Sequence, residues 1–535
     1  MSPFYGDYRF VEEYVRIEIK MKNIAIKGIK GLGIVILHLL ILGLIPLNMY
    51  MMNINEILAI VLTVCWIVLV RVIVKLISKK KDSESENTKA LKNVTGKVLL
   101  IILDVLIIFL MILATEFNSY WNSCMYRDID WSNDTGNQVL TREDALSDYN
   151  YAMKYLKKIH PLTLGGLPDD MEARAKEVKA GLESRDSITG YELARELESI
   201  FALAGDGHTH VDENYSDAHY MKYIYEHRKA GDVLVGINGV SFEDFLVDSP
   251  GYVSYDEGMN AYGVRMLKNR ISTLEGLRYL GYDIEGEIVY NYVSEAGEEI
   301  DVTVTKDDFL GIDEYYEYAE SVTGDDMSGD REDKDYVRYE IDEKNSIAVF
   351  TLDSCDYNSH YKEVVKAMFD EIHEKDIKNI VVDLRNNGCG SSLCANEFIR
   401  YLDVEEYKSW ADEVRYGCLL FKHSGGMIKN NKKGYGFSGK VFVMTSIYSY
   451  SAAMDFAMLI QDNGLGSIVG EPCGNMPASY GQVTQYILPR SGIYIQISIK
   501  RWHRVDESKE DLPILPDTEC NPDDALDVIY DILAE

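Results

Sequence analysis

VVDLRNNGCGSS, Val381 to Ser392, is a short β-branched run that breaks into a glycine-rich turn. That is the pattern of a buried strand ending where the backbone becomes exposed, and its glycines leave amide N–H groups free. Downstream, VFVMT (Val441 to Thr445) reads as a second buried strand, and Ser451 heads a run with helical spacing at Ala452, Phe456, Leu459 and Ile460, followed by IVGEPCG. Upstream, a strand at Ile347 to Leu352 and helices at Tyr361 to Ile372 and Leu393 to Tyr401 continue the alternation. Residues 339–535 are therefore expected to form an α/β (α+β) core, a mixed sheet with helical crossovers. A serine at a helix start serves either as an N-cap or as a nucleophile. In the second role its oxyanion would meet the N–H of Ala452 and one from the glycine turn, with Gly388 the expected donor.

DLRNNGCG, then Ser451-Ala452-Ala453 ahead of Gln461-Asp462-Asn463-Gly464, then VGEP, resembles the tail-specific (C-terminal processing) serine peptidase family. The resemblance runs from about Asp144 to the C-terminus, taking in LAGDGHTHV and ILPD. It implies a crotonase-like peptidase core with Ser451 as nucleophile and cuts near substrate C-termini. The Ser/Lys branch has its lysine after GEP, where this chain reads Cys473-Gly474-Asn475-Met476-Pro477, and a glutamate three residues after the serine, where it has Met454. A base must come from elsewhere, because a serine hydroxyl is a poor nucleophile until a neighbour takes its proton. His208, in Gly205-Asp206-Gly207-His208-Thr209, resembles the histidine segment of the tricorn-core and nisin-resistance-protein branch, where a histidine serves the serine. Its ordinary pKa of about 6.5 suits the task. The same turn also reads as a surface loop closing a helix near Leu203, and His210 is the spare candidate.

Glu510 is the expected third catalytic member, counted back from Leu515-Pro516-Asp517. Asp206 is its rival, and Glu510 in the run ESKED also reads as a solvated charge. That branch carries a serine before the histidine, whereas this chain has Gly207. Asp383 and Arg385 read as an ion pair organising the glycine turn. Cys389 and Cys473 read as small buried residues or as a disulfide. With no acidic or cysteine partner at a ligand-like spacing beside His208 and His210, no metal is expected, and a Ser/His pair requires no cofactor.

Residues 31–52, 57–77 and 98–115 are apolar runs of membrane-spanning length, so three N-terminal transmembrane helices are expected. Lys and Arg cluster before the first run and between the second and third, which places the N-terminus in the cytoplasm and everything after about Phe117 outside. Residues 1–117 carry 14 basic and 10 acidic side chains, so of the chain's net −33 the remainder holds −37. Such a domain is a poor nucleic-acid binder. The expected divisions are 1–117 (cytoplasmic segment and spans), 118–212 (helical bundle carrying the histidine loop), 213–323 (a PDZ-like or cap insert, on Gly231 to Gly239), 324–338 (acidic linker) and 339–535 (peptidase core). The sequence thus predicts a multi-pass cell-membrane serine endopeptidase acting extracytoplasmically on peptides or proteins, with antimicrobial-peptide resistance or surface-protein processing implied by the resemblance. The alternative is a catalytically inactive peptide-binding or sensor protein on the same fold. Oligomeric state is not encoded in any pattern found.

Overall fold

The computed structural model describes residues 134–534 apart from 213–217, 250 and 324–334, with isolated positions before them. The chain divides into two units, Met1–Asn122 and Ser123–Glu535. The three apolar runs and most of the acidic linker lie outside the described residues. Positions described within those runs, Val68, Ile102, Val105, Leu106 and Phe109 among them, are helical and exposed. Among the described residues no helix is long and apolar enough to cross a membrane.

The second unit opens with three helices, α1 (Arg142–Ile159), α2 (Asp169–Ser184) and α3 (Gly190–Phe201). Helix α3 starts on a capping box, Thr189 and Glu192 each taking the other's backbone N–H. Its apolar face (Leu193, Leu197, Ile200, Phe201) is fully buried. A tight turn then leads into β1 (His210–Asp212).

The four-stranded sheet of the insert begins with β2 (Val233–Ile237) and β3 (Val240–Ser241), joined by Asn238 and Gly239, both at positive φ as a two-residue hairpin requires. Helices α4 (Asn260–Ile271) and α5 (Leu274–Leu280) precede β4 (Ile288–Val293) and β5 (Glu299–Val304). The strands form one antiparallel sheet, β3-β2-β4-β5.

The core runs β6 (Val337–Asp342), β7 (Ile347–Leu352), α6 (Ser359–Glu374), β8 (Asn379–Asp383) and α7 (Leu393–Ile399). Next come β9 (Asp412–Tyr416), β10 (Leu419–His423), β11 (Lys440–Thr445), α8 (Ala452–Asp462) and β12 (Ser467–Gly470). The chain ends with β13 (Tyr480–Ile487), β14 (Tyr494–Trp502), β15 (Thr518–Glu519) and α9 (Ala525–Ala534). The main sheet has the order β6-β7-β8-β11-β12-β15, parallel from β7 to β15 with β6 antiparallel at the edge. One face packs Ala348, Ile380, Val382 and Val443 against α6, α7 and α8. The other packs Val381, Phe442, Met444 and Val469 against Ala525 and Ile529 of α9. Burial on both faces explains the apolar runs, since nearly every position of β8, β11 and β12 is buried. A second, antiparallel sheet, β10-β9-β14-β13, takes β1 onto β14. This pairing delivers the histidine loop from the helical bundle to the core.

Candidate active site

Strands β8 and β11 lie side by side, so the turn after β8 and the turn into α8 emerge next to each other. Polar side chains tie them: Ser449 Oγ donates to Leu384 O (2.8 Å), Ser446 Oγ to Arg385 O (2.5 Å), and Tyr450 N–H to Asn387 O (3.0 Å). Ser451 sits at the head of α8 with φ 56° and ψ −118° and makes no side-chain cap. Of the two uses open to a serine there, the cap is not taken. A non-glycine residue in that conformation is strained, and a strained strand-to-helix turn is one way to hold a nucleophilic serine proud of a sheet. The Ser451 N–H donates to Oδ1 of Asn475 (2.7 Å), a residue 1% exposed, which pins the strained peptide.

In the glycine turn, Asn387 Nδ2 donates to Leu352 O (2.8 Å), and Cys389 N–H donates to Asn387 Oδ1 (3.3 Å). Gly390, at φ 130°, lies so close to Cys355 that a Cβ would fall 2.5 Å from its carbonyl oxygen. Asp383 and Arg385 pair at 2.8 Å, and Arg385 also donates to Pro522 O, so both organise the turn. Gly388 is exposed beside Ser451, and Ala452 is the first residue of α8, where an N–H has no intrahelical acceptor. Gly388 thus lines the cavity that Ser451 lines, and Ala452 follows Ser451 in the chain. Cys389 is exposed and Cys473 buried, and each is a free thiol, which corrects the expectation of two buried residues or a disulfide.

His208 lines the same cavity, of about 850 Å³. Its side chain is 13% exposed, its Nδ1 is 3.6 Å from Asp206 Oδ1, and neither ring nitrogen has a hydrogen-bond partner. It is not a free surface-loop residue. Asp206 is fully buried and accepts from His208 N–H (2.8 Å), Thr209 Oγ1 (2.6 Å) and His160 Nε2 (3.1 Å). His160 Nδ1 accepts Leu162 N–H (3.2 Å), so the ring proton sits on Nε2 and points at Asp206. Burial works against ionisation of Asp206, but the two histidines hold its carboxyl well below the usual range. For His208, burial pushes the imidazole down while Asp206 outweighs it, leaving the pKa raised.

Asp256, absent from the sequence reading, couples the two halves. Its carboxylate accepts Gly207 N–H (2.8 Å) and Met476 N–H (2.9 Å), joining the histidine loop to the segment that holds Ser451. Burial and the charge of Asp206 push its carboxyl up to about 6. Asp206, His208 and Asp256 bring three potential ligand atoms within 4.8 Å, a grouping not legible as a ligand-like spacing in the sequence. The four carboxylate oxygens already accept protein N–H and O–H groups, which leaves a poor cation cradle.

Glu510 is not brought to His208. It receives His503 Nδ1 (2.6 Å) and Arg504 N–H (2.9 Å) in a separate surface cavity. His210, the spare base, is paired with Asp212 at 3.0 Å and held cationic; burial opposes this, but Asp212 prevails, with a pKa of about 9. Asp455, one turn below Ser451, hydrogen-bonds Ser392 and is pushed up to about 6 by burial.

The site thus sits in a mixed α/β sheet, with a serine at the head of a crossover helix and a glycine turn lining the same cavity. Residues 346–520 match the profile described as Peptidase family S41. No curated protein sequence matches the chain. Among solved structures, mature CPAF complexed with lactacystin is 12% identical, with 74% of this chain and 97% of that one covered and a TM-score of 0.51. Mature CPAF alone gives 12%, 74%, 96% and 0.50. The photosystem II D1 C-terminal processing protease gives 12%, 74%, 97% and 0.39. For the two CPAF structures the likeness is one of fold.

Proposed function

We propose that this chain is a serine peptidase in which Ser451 is the nucleophile, His208 the general base and Asp206 the acid that orients the imidazole. The observation that carries it is a strained, uncapped serine and a histidine backed by a buried carboxylate facing one cavity. His208 Nε2 takes the Ser451 hydroxyl proton as Oγ attacks the peptide carbonyl. The tetrahedral oxyanion is met by the N–H groups of Gly388 and Ala452. Collapse breaks the C–N bond, the leaving amine taking the proton from His208. Water, deprotonated by the same histidine, then hydrolyses the acyl-enzyme and regenerates Ser451. The ring nitrogens of His208 are unpartnered without substrate, a looseness common in unliganded sites. The motif resemblance supports cleavage near substrate C-termini. The apolar runs and the Lys/Arg distribution support a membrane anchor with this domain outside the cytoplasm.

The test is digestion of a mixed peptide library by the full chain at pH 7.5. Wild type should cleave, with Ser451→Ala and His208→Ala each at least about 10³-fold slower. A folded wild type that binds peptides without cutting them would favour the inactive binding protein.

A further inference from the structure

Strand β13 borders the cavity, contributing Gln482, Val483 and Gln485, and among the described residues β14 is its only strand neighbour in the sheet. Two hydrogen bonds fix which way its backbone faces. Gln485 C=O accepts Cys124 N–H (2.7 Å), and Gln485 N–H donates to Ser123 Oγ (3.0 Å), so its main chain is turned away from β14. The two-residue repeat of a strand turns Val483 to the same outer edge. Its register partner Ser498 agrees, sending its N–H to Thr209 Oγ1 (3.0 Å) instead of to Val483, as in a pair that exchanges no ladder bonds. Gln482 next to it has φ 49°, a strained conformation in mid-strand. Gly481, one residue further, lies against the base: a Cβ there would fall 4.0 Å from His208 Cε1. The outer edge of β13 therefore presents a main-chain donor and acceptor at Val483 within the catalytic cavity, while two residues away the chain's own segment already lies on that edge.

Building on the peptidase reading, we propose that the β13 edge at Val483 is the main-chain pairing site for an extended peptide substrate, and that Ser123 and Cys124 close this edge at its Gln485 end. The occupant is a peptide backbone, because the edge offers one N–H and one C=O in strand geometry and the segment already seated beside it is peptide. Selection by backbone tolerates sequence but counts residues: the edge has room for a pairing at Val483 and is stopped at Gln485.

The test uses the full-length protein and a good peptide substrate in which each amide in turn is replaced by an ester, removing one N–H without touching the enzyme. One ester away from the scissile bond should lower kcat/KM about 5- to 10-fold, the worth of one hydrogen bond, while the others change it little. Val483→Pro removes the edge's own N–H, the donor to a substrate carbonyl, and should raise KM, while Val483→Ala keeps both main-chain groups and should retain the ester sensitivity. Lengthening the substrate should stop improving kcat/KM abruptly at one end only. A flat ester scan on an enzyme that cleaves would overturn the pairing, and improvement continuing at both ends would overturn the stop. Absence of cleavage by wild type would instead refute the peptidase reading on which the proposal rests.

Discussion

Gly207, where the Ser/His branch that this segment resembles has a serine, is sterically crowded. A Cβ at this position would lie 2.3 Å from Tyr450 Oη, in a contact where the tyrosine ring also lies tilted against the His208 ring, 4.8 Å between centroids. The hydroxyl of Tyr450 is buried without a partner, so the tyrosine fills the space a serine side chain would need. Gly207→Ser should therefore cost about 1–3 kcal/mol in denaturant unfolding, through overpacking, and slow Ser451 labelling. Tyr450→Phe removes an unsatisfied hydroxyl and should recover most of the loss when combined with Gly207→Ser; two additive losses would argue against the packing conflict. At this scale the sequence was only partly legible. Ser451, His208, Gly388 and Ala452 stand in short local motifs. Asp206 could be weighed because it lies two residues from the base. His160, Asp256 and Asn475 leave no local trace, because each meets its partner across a long stretch of chain. Glu510 was reached by counting from a motif, and the count could not register that His503, seven residues earlier, takes its carboxylate.

At the level of elements, the strands and helices of the core were readable because a parallel strand buried on both faces must be apolar throughout. Their connection was not. The bridge between the bundle and the core is a three-residue strand, β1, whose pairing to β14 has no periodicity to announce it. The start of α8 shows what such connections do. A strained residue stays in place only while its surroundings over-determine it, and here Asn475 supplies the acceptor that Ser451 N–H would otherwise lack. It stands in the segment after GEP where the sequence reading found no Ser/Lys-type lysine, and here that segment holds the backbone. Asn475→Ala should lower kcat about 10- to 100-fold, with KM nearly unchanged and Ser451 labelling slowed in parallel. Loss confined to thermal stability, with kcat intact, would assign Asn475 a purely structural role.

Across the whole molecule, the site is assembled from parts distant in sequence: Glu198 from α3, His210 from β1, Arg270 from α4 and Ser451 from the core all line one cavity. Composition gave the acidity of residues 118–535, yet the cationic groups nearest the cavity are already matched. His210 and Arg270 both pair with Asp212, and Lys500 stands 3.5 Å from Asp412. Net charge therefore says little about which peptide enters. The charges that matter are those facing His208: Asp206 and Asp256 raise its pKa, while burial and His210 lower it, for a net rise above 6.5. A general base works only when neutral, so activity should fall as pH drops through a value above 6.5. Asp206→Asn removes the dominant raising charge, so the same fall should then occur at lower pH and from a lower maximum.

The most direct measurement is the rate of fluorophosphonate labelling of the full-length protein from pH 5 to 9, with the modified residue located by mass spectrometry, in wild type, His208→Ala and Asp206→Asn. The account predicts modification at Ser451, an acid limb above pH 6.5 in wild type that shifts downward in Asp206→Asn, and near-complete loss of labelling in His208→Ala. Labelling at another residue, or labelling of Ser451 that is indifferent to His208, would contradict it.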